Sequence, residues 1–140
     1  MSLYLDANVL VALFTEDPHN ARAEEIVVSD PLLYVSDFGA AELASAISRR
    51  VRMKDLTKID AGGAFDKFDD WLDNDANLVE IASADVRRAD VTLRRLDLNL
   101  RTPDAIHLAV AKRLGATLVT FDEKLERAAR LLATRVIGLA

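Results

Sequence analysis

The sequence predicts an α/β domain of three layers, with helices on both faces of a parallel sheet. Two patterns carry that prediction. Short apolar runs alternate along the chain with longer segments whose apolar residues recur every three or four positions. No linker, repeat or low-complexity stretch interrupts the 140 residues, a length that fits one domain spanning 1–140. An apolar fraction of 51% suffices to fill one sizeable core.

Taken in order, Leu3–Leu5 is a first strand, stopped by Asp6. Asn8–Phe14 reads as a helical turn or two, and Pro18 starts a helix that ARAEEIVV continues. Leu32–Val35 is a second buried strand, ended by Ser36 and Asp37. Phe38–Arg52 is helical, because Leu43, Ile47 and Val51 recur at spacing four. Lys54–Asp75 reads as an amphipathic helix with Ile59, Phe65, Phe68 and Leu72 as its stripe, and Gly62-Gly63 as a candidate break. Trp71 and its neighbouring phenylalanines fit core or subunit contact better than base stacking. Leu78–Ile81 is a third strand. Ser83 caps a helix running to Leu96, with Val86, Ala89, Leu93 and Leu96 facing inward. Thr102 is the N-cap of the next helix, Pro103 suits its first position, and Gly115 its C-terminal cap. Leu118–Phe121 is a fourth strand, Asp122–Leu132 a helix, and Val136-Ile137 a short last strand.

Four acids stand at the edge where such a sheet binds ligands: Asp6, Glu42, Asp104 and Asp122. Asp6 and Asp122 directly follow strands. Glu42 and Asp104 lie in the first turns of helices. If the first and fourth strands are neighbours at a reversal of strand order, the carboxylates share one crevice. Each acid also has a structural reading. Asp104 complements a helix dipole and Asp122 suits an N-cap. Glu42 among small residues, and Asp6 at the end of a buried strand, are harder to explain without a partner. Clustered carboxylates with no cysteine and only two histidines make a hard-oxygen site suited to Mg²⁺ or Mn²⁺. Such a site suits metal-assisted phosphodiester cleavage. His107, three residues after Asp104, reads as a hydrogen-bonded packing residue before a general base. His19 reads as a surface residue.

The net charge of −5 argues against a protein that coats nucleic acid electrostatically. Basic groups at Arg49, Arg50, Arg52 and Lys54, at Arg87 and Arg88, and at Arg94, Arg95 and Arg101 read mainly as solvated helix faces. Absence of cysteine fits a reducing cytoplasm. No apolar run approaches the ~20 residues that span a bilayer, and the start MSLYLDANVLV has no basic leader. A soluble, cytoplasmic protein without membrane contact is expected.

The ordered set LYLDANVLVALF, AELASAI and TPDAIHLAVAKRLGATLVTFD, with the short final strand, resembles the PIN domain. Within it, the set resembles the toxin subunits of VapC-type toxin–antitoxin pairs over essentially the whole chain. The resemblance implies a three-layer α/β/α fold with a five-stranded parallel sheet, and a Mg²⁺- or Mn²⁺-dependent endoribonuclease. It also implies a homodimer, inhibition by a cognate antitoxin, and DNA contact only through that antitoxin. The family's four acids fall on Asp6, Glu42, Asp104 and Asp122, as catalytic and metal-holding residues, with Asn8 and Thr120 as supporting polar neighbours. Helices Phe38–Arg52 and Pro18–Val28 are the expected antitoxin groove. The rival readings are a housekeeping RNA-processing nuclease, a non-catalytic metal-binding module, and an aspartyl phosphotransferase. Ala7-Asn8 after Asp6 weighs against the last, which commonly carries a second acid two residues on.

Overall fold

The computed structural model describes residues 1–30 and 32–140. The elements are β1 (Leu3–Leu5), α1 (Ala7–Phe14), α2 (Asn20–Val28), β2 (Leu33–Ser36), α3 (Asp37–Arg52), α4 (Lys58–Asp75), β3 (Asn77–Val79), α5 (Ser83–Leu93), α6 (Thr102–Leu114), β4 (Thr117–Val119), α7 (Glu123–Leu131) and β5 (Val136–Ile137). A single 3-10 turn, Leu96–Leu98, links α5 to α6.

Every strand pair is parallel, and the order is β3-β2-β1-β4-β5. Leu3 of β1 lies opposite Leu33 on one side and Thr117 on the other. The chain therefore winds outward from β1 through β2 to β3, then returns to lay β4 on the opposite flank. The reversal falls between β1 and β4, so the crevice opens above their carboxyl ends.

Side chains alternate across the sheet and feed two cores. Leu3 and Leu5 join Val9, Leu10, Val35, Leu43, Ile47 and Phe68 against α1, α3 and α4. Tyr4 points the other way, into a cluster of Leu118 from β4 with Ala105, Leu108, Val110 and Leu125 of the α6 and α7 layer. Burial on both faces explains why the central strand β1 is apolar throughout rather than alternating, whereas the edge strand β3 is exposed at Asn77 and Leu78. Trp71 and Phe68 pack edge-on against Phe14, with ring centroids 5.3 and 5.4 Å away, so they belong to the core.

Several element boundaries differ from the sequence reading. The second helix begins at Asn20, not Pro18. The fourth begins at Lys58, because Thr57 caps it through Asp60 N–H and Lys54 leaves α3 with φ +62°. Gly62-Gly63 does not break it, and Ile59 is 86% exposed, so Ala61, Ala64 and Phe68 form its buried stripe. The fifth helix ends at Leu93, and Val86 and Leu96 face solvent, with Leu96 89% exposed. Arg95 pairs with Asp97, and Asn99 takes a left-handed φ of 54°, which turns the chain out of the helical path. Thr102 is the first residue of α6 rather than its cap. Gly115 does end that helix, at φ 64°, where a side chain would be strained. The third strand starts at Asn77 and the fourth stops at Val119, before Thr120 and Phe121. No helix among the described residues is long and apolar enough to cross a membrane.

Candidate active site

Asp6 sits at the reversal point, directly after β1, and is only 6% exposed. Its backbone N–H still donates to Val119 O of β4 at 2.9 Å, so it continues the ladder while ending the strand. Its carboxylate caps α1: Oδ1 accepts the Ala7 N–H at 2.7 Å. Oδ2 accepts the Thr120 hydroxyl at 2.8 Å, and Thr120 Oγ1 accepts the Asp122 N–H at 3.1 Å. Asn8 Oδ1 accepts the Phe121 N–H at 3.1 Å. Asn8 and Thr120 thus lock the loop after β1 to the loop after β4, and hold Asp6 and Asp122 in fixed register. Burial pushes the Asp6 pKa up. The positive potential of His107 and the Thr120 and Ala7 hydrogen bonds pull it partly back, while Glu42 repels, and the net shift is upward.

His107 is 1% exposed and joins acids that lie far apart in sequence. Its Nε2 hydrogen-bonds Glu42 Oε1 and lies 3.4 Å from Asp6 Oδ1. Ligand atoms of Asp6, Glu42 and His107 all fall within 4.8 Å of one another. On its other side, His107 Nδ1 meets the Tyr4 hydroxyl at 2.6 Å, and that hydroxyl meets Ser36 Oγ at 2.7 Å. Burial opposes a charge on His107, but the Glu42 hydrogen bond and the nearby Asp6, Glu42 and Asp104 charges outweigh it and raise its pKa. The Tyr4 hydroxyl is pushed well above its ordinary value, first by burial and then by the surrounding acids, against the lowering Ser36 hydrogen bond.

Asp104 and Asp122 line one cavity of about 550 Å³ with Asn99, Arg101, Glu123 and Lys124. Both acids also start helices. Asp104 Oδ2 accepts the Arg101 N–H at 3.2 Å, and Asp122 Oδ1 accepts Lys124 and Leu125 N–H at 2.8 and 3.2 Å. Burial raises the Asp104 pKa. The Arg101 N–H opposes that shift, the Asp122 charge adds to it, and the outcome is upward. The four acids therefore stand as two adjoining pairs. Asp6 with Glu42 meets at His107, and Asp104 with Asp122 lines the open side. Thr120 joins the pairs at the strand ends, and Asp104 and His107 sit three residues apart on α6.

The donors fit a hard divalent cation. Each of the four carboxylates is anchored through at least one oxygen. Glu42 Oε2, Asp104 Oδ1 and Asp122 Oδ2 have no hydrogen-bond partner among the described residues. Anchored carboxylates with unused oxygens are what an oxygen-seeking cation takes. Reading the sequence missed how His107 contacts two of the acids, and missed Tyr4 and Ser36 altogether. The available signal was strand alternation, which sets Tyr4 two residues before Asp6 and on the same side. His19 is exposed, as read from sequence, with its ring 5.7 Å from that of Phe121.

A family model described as the PIN domain matches residues 3–131. The chain is similar to Ribonuclease VapC46 of Mycobacterium tuberculosis (strain ATCC 25618 / H37Rv), with 31% identity over 140 residues, covering 98% of this chain and 97% of that protein. Among solved structures it resembles Mycobacterium tuberculosis VapC20, a Sarcin-Ricin loop cleaving toxin. The TM-score is 0.74 and the identity 21%, over 91% of this chain and 95% of that one. It also resembles VapBC2 from Rickettsia felis, bound to a DNA fragment from their promoter. There the TM-score is 0.71 and the identity 16%, over 99% and 98% of the two chains. At those identities the two structures speak to the fold. A parallel sheet that reverses beside β1, with acids at the reversal, accords with matches spanning nearly the whole length: the chain belongs to the PIN-domain family, alongside its VapC-type members.

Proposed function

We propose that this protein, as one PIN domain over 1–140, is a Mg²⁺- or Mn²⁺-dependent endoribonuclease and the toxin component of a toxin–antitoxin pair acting in the cytoplasm. The observation that carries the reading is the acid cluster at the sheet's reversal, with Asp6 buried beside Glu42 and His107, and Asp104 and Asp122 lining the adjoining cavity. A relative named as a ribonuclease, at 31% identity over the full length, supports the reaction class.

Asp6, Glu42, Asp104 and Asp122 are the residues that would hold the cation. When bound, it supplies Lewis-acid polarisation of a phosphate and activation of water. Thr120, Asn8 and the helix-capping bonds keep Asp6, Asp104 and Asp122 from rotating away, and His107 holds Glu42. Arg101 and Lys124, on the wall of the same cavity, offer cations to the phosphates of an incoming RNA strand. An anionic strand approaching four carboxylates needs such positive groups, since the chain as a whole carries −5.

For the antitoxin, a groove of about 860 Å³ offers the docking surface. Leu13, Phe14 and Leu56 form its apolar floor, with exposed Ile59 at the lip and Glu16, Asp17, Glu24 and Asp60 as its acidic rim. Its walls come from the end of α1, from α2 and from α4, and it adjoins α2, one of the two helices expected to take the antitoxin. A basic, amphipathic segment suits that rim and floor. A homodimer is part of the same proposal and rests on the family resemblance.

The test is cleavage of a mixed RNA pool by purified protein with Mg²⁺, Mn²⁺ or EDTA, beside Asp6→Asn. Cleavage is expected only with metal. Asp6→Asn is expected to lower the rate by more than the roughly 100-fold upper end seen for residues that merely support a ligand. Cleavage that persists in EDTA, or at the wild-type rate in Asp6→Asn, would sink the proposal. Release of phosphate from small phosphoesters without RNA cleavage would favour the phosphotransferase reading instead.

A further inference from the structure

We propose that Ser36, Tyr4 and His107 form a buried positioning chain that sets the direction of the Glu42 carboxylate, and so governs how tightly the site holds a divalent cation. The proposal rests on the reading of Glu42 as a metal-holding residue.

The chain is a closed loop through four elements, β2, β1, α6 and α3. Ser36 Oγ accepts the Gly39 N–H at 2.9 Å and so caps α3, the helix that carries Glu42. The same oxygen meets the Tyr4 hydroxyl of β1 at 2.7 Å, which meets Nδ1 of His107 on α6 at 2.6 Å. Nε2 of that ring then returns to Glu42 Oε1 on α3. Ser36 and Tyr4 are 0% exposed, and His107 is 1% exposed. The direction at the far end does not depend on the charge of the ring. An ionised carboxylate only accepts, so Nε2 carries the hydrogen whether the imidazole is neutral or protonated.

Three features argue that the loop serves the site rather than the core alone. Burying a hydroxyl, a second hydroxyl and an imidazole has a desolvation cost that apolar side chains at these places would avoid. The chain ends on a carboxylate that is 29% exposed at the candidate site, not on another buried group. Glu42 has a long, flexible side chain, and the bond to His107 selects one direction while Oε2 keeps no hydrogen-bond partner among the described residues. Gly39 adds a packing constraint, because a Cβ there would sit 3.2 Å from Ser36 Oγ and 3.6 Å from His107 Cε1. Outer residues that orient metal-holding side chains through hydrogen bonds typically change affinity by about 10–100-fold when removed.

The experiment measures Mn²⁺ binding to the metal-free protein by titration calorimetry and electron paramagnetic resonance. It uses wild type, Tyr4→Phe, His107→Leu, His107→Gln and Asp6→Asn, with circular dichroism as a check on folding. Tyr4→Phe and His107→Leu are expected to weaken Mn²⁺ binding by about 10–100-fold in folded protein. His107→Gln, whose amide can donate where Nε2 did, is expected to recover most of that loss. Mg²⁺ and Zn²⁺ affinities should fall in the same proportion. Wild-type affinity in Tyr4→Phe, the variant that keeps the ring and its packing, would overturn the proposal while leaving the metal-site reading intact. A loss confined to Zn²⁺ would make His107 a direct ligand and overturn the positioning role. If wild type and Asp6→Asn bind Mn²⁺ equally, the metal-site reading itself fails and takes this proposal with it.

Discussion

Asp6, Asp104 and Asp122 show at residue scale how structure and candidate function share one carboxylate. Each accepts a backbone N–H at the start of a helix through one oxygen. The readings of Asp104 as a helix-start acid and Asp122 as an N-cap therefore describe real bonds; the second oxygens of Asp104 and Asp122 stay available, while that of Asp6 accepts the Thr120 hydroxyl. Thr117 is the contrasting case. It is 3% exposed, and its hydroxyl has no hydrogen-bond partner among the described residues. Thr117→Val keeps the branched shape and removes the unpaired polar atom, so it should stabilise the fold by about 1 kcal/mol. A urea midpoint that falls instead would mean the hydroxyl is paired in solution. The four acids were legible because strand ends and helix starts can be read from local pattern. The role of His107 was not, because its bonds to Tyr4 and Glu42 span sequence separations of 103 and 65 residues. Only the sheet, by bringing the start of α3 and the start of α6 together at its carboxyl edge, decides them. Tyr4 read as part of an apolar run; alternation sets it on the side of Asp6, but no local pattern shows what its buried hydroxyl meets.

At element scale, helix α4 tests how far intrinsic preference matters against packing. Two adjacent glycines lie inside it, which in isolation would mark a break. The helix continues because Thr57 caps its start and Ala61, Ala64 and Phe68 are buried against the core. Tertiary burial outweighs a propensity deficit of about 1 kcal/mol per glycine. Gly62 is exposed in helical conformation, and a Cβ there would meet nothing within 4 Å. Gly62→Ala should therefore raise stability by about 0.5–1 kcal/mol, read as a higher unfolding temperature with cleavage unchanged. A lower unfolding temperature would show that this stretch depends on glycine's freedom. The opposite error arose in α5, where the apolar spacing continues through Leu96 although the helix does not. Periodicity reports which residues could share a face. It cannot see the Arg95–Asp97 pair and the left-handed Asn99 that redirect the chain. The order and type of the elements were legible throughout. The strand order was not, because the hydrogen-bonded neighbours of β1 are set by long-range packing.

At the scale of the whole molecule, the acid cluster sets a sign for how stability follows pH. Asp6, Asp104 and His107 all have pKa values raised in the folded state. The native protein therefore binds more protons at these groups than the unfolded chain does, and metal-free stability falls as pH rises through their folded values. Asp85 runs the other way. Burial raises its pKa, but Arg113 at 2.9 Å and the Ala82 N–H outweigh that and hold its carboxyl below the ordinary range. Its contribution is present above the unfolded value of about 3.9 and is lost as pH falls through the lower folded value. Metal-free protein should accordingly be most stable on the acidic side of neutrality, losing unfolding temperature from about pH 5 to 8, and losing it again below about pH 4. A bound divalent cation competes with those same protons, so the increment that Mg²⁺ adds should grow as pH rises across that range. Asp6→Asn removes the buried charge, keeps one acceptor oxygen for the Ala7 N–H, and presents an NH₂ donor where Oδ2 accepted from Thr120. It should be more stable than wild type without metal at pH 8, and should gain less from Mg²⁺. Thermal unfolding of both proteins from pH 5 to 8, with EDTA and with Mg²⁺, checks each part. A metal-free unfolding temperature that rises toward pH 8, or an equal Mg²⁺ increment in Asp6→Asn, would mean that the buried charges at the reversal of the sheet do not limit the stability of this fold.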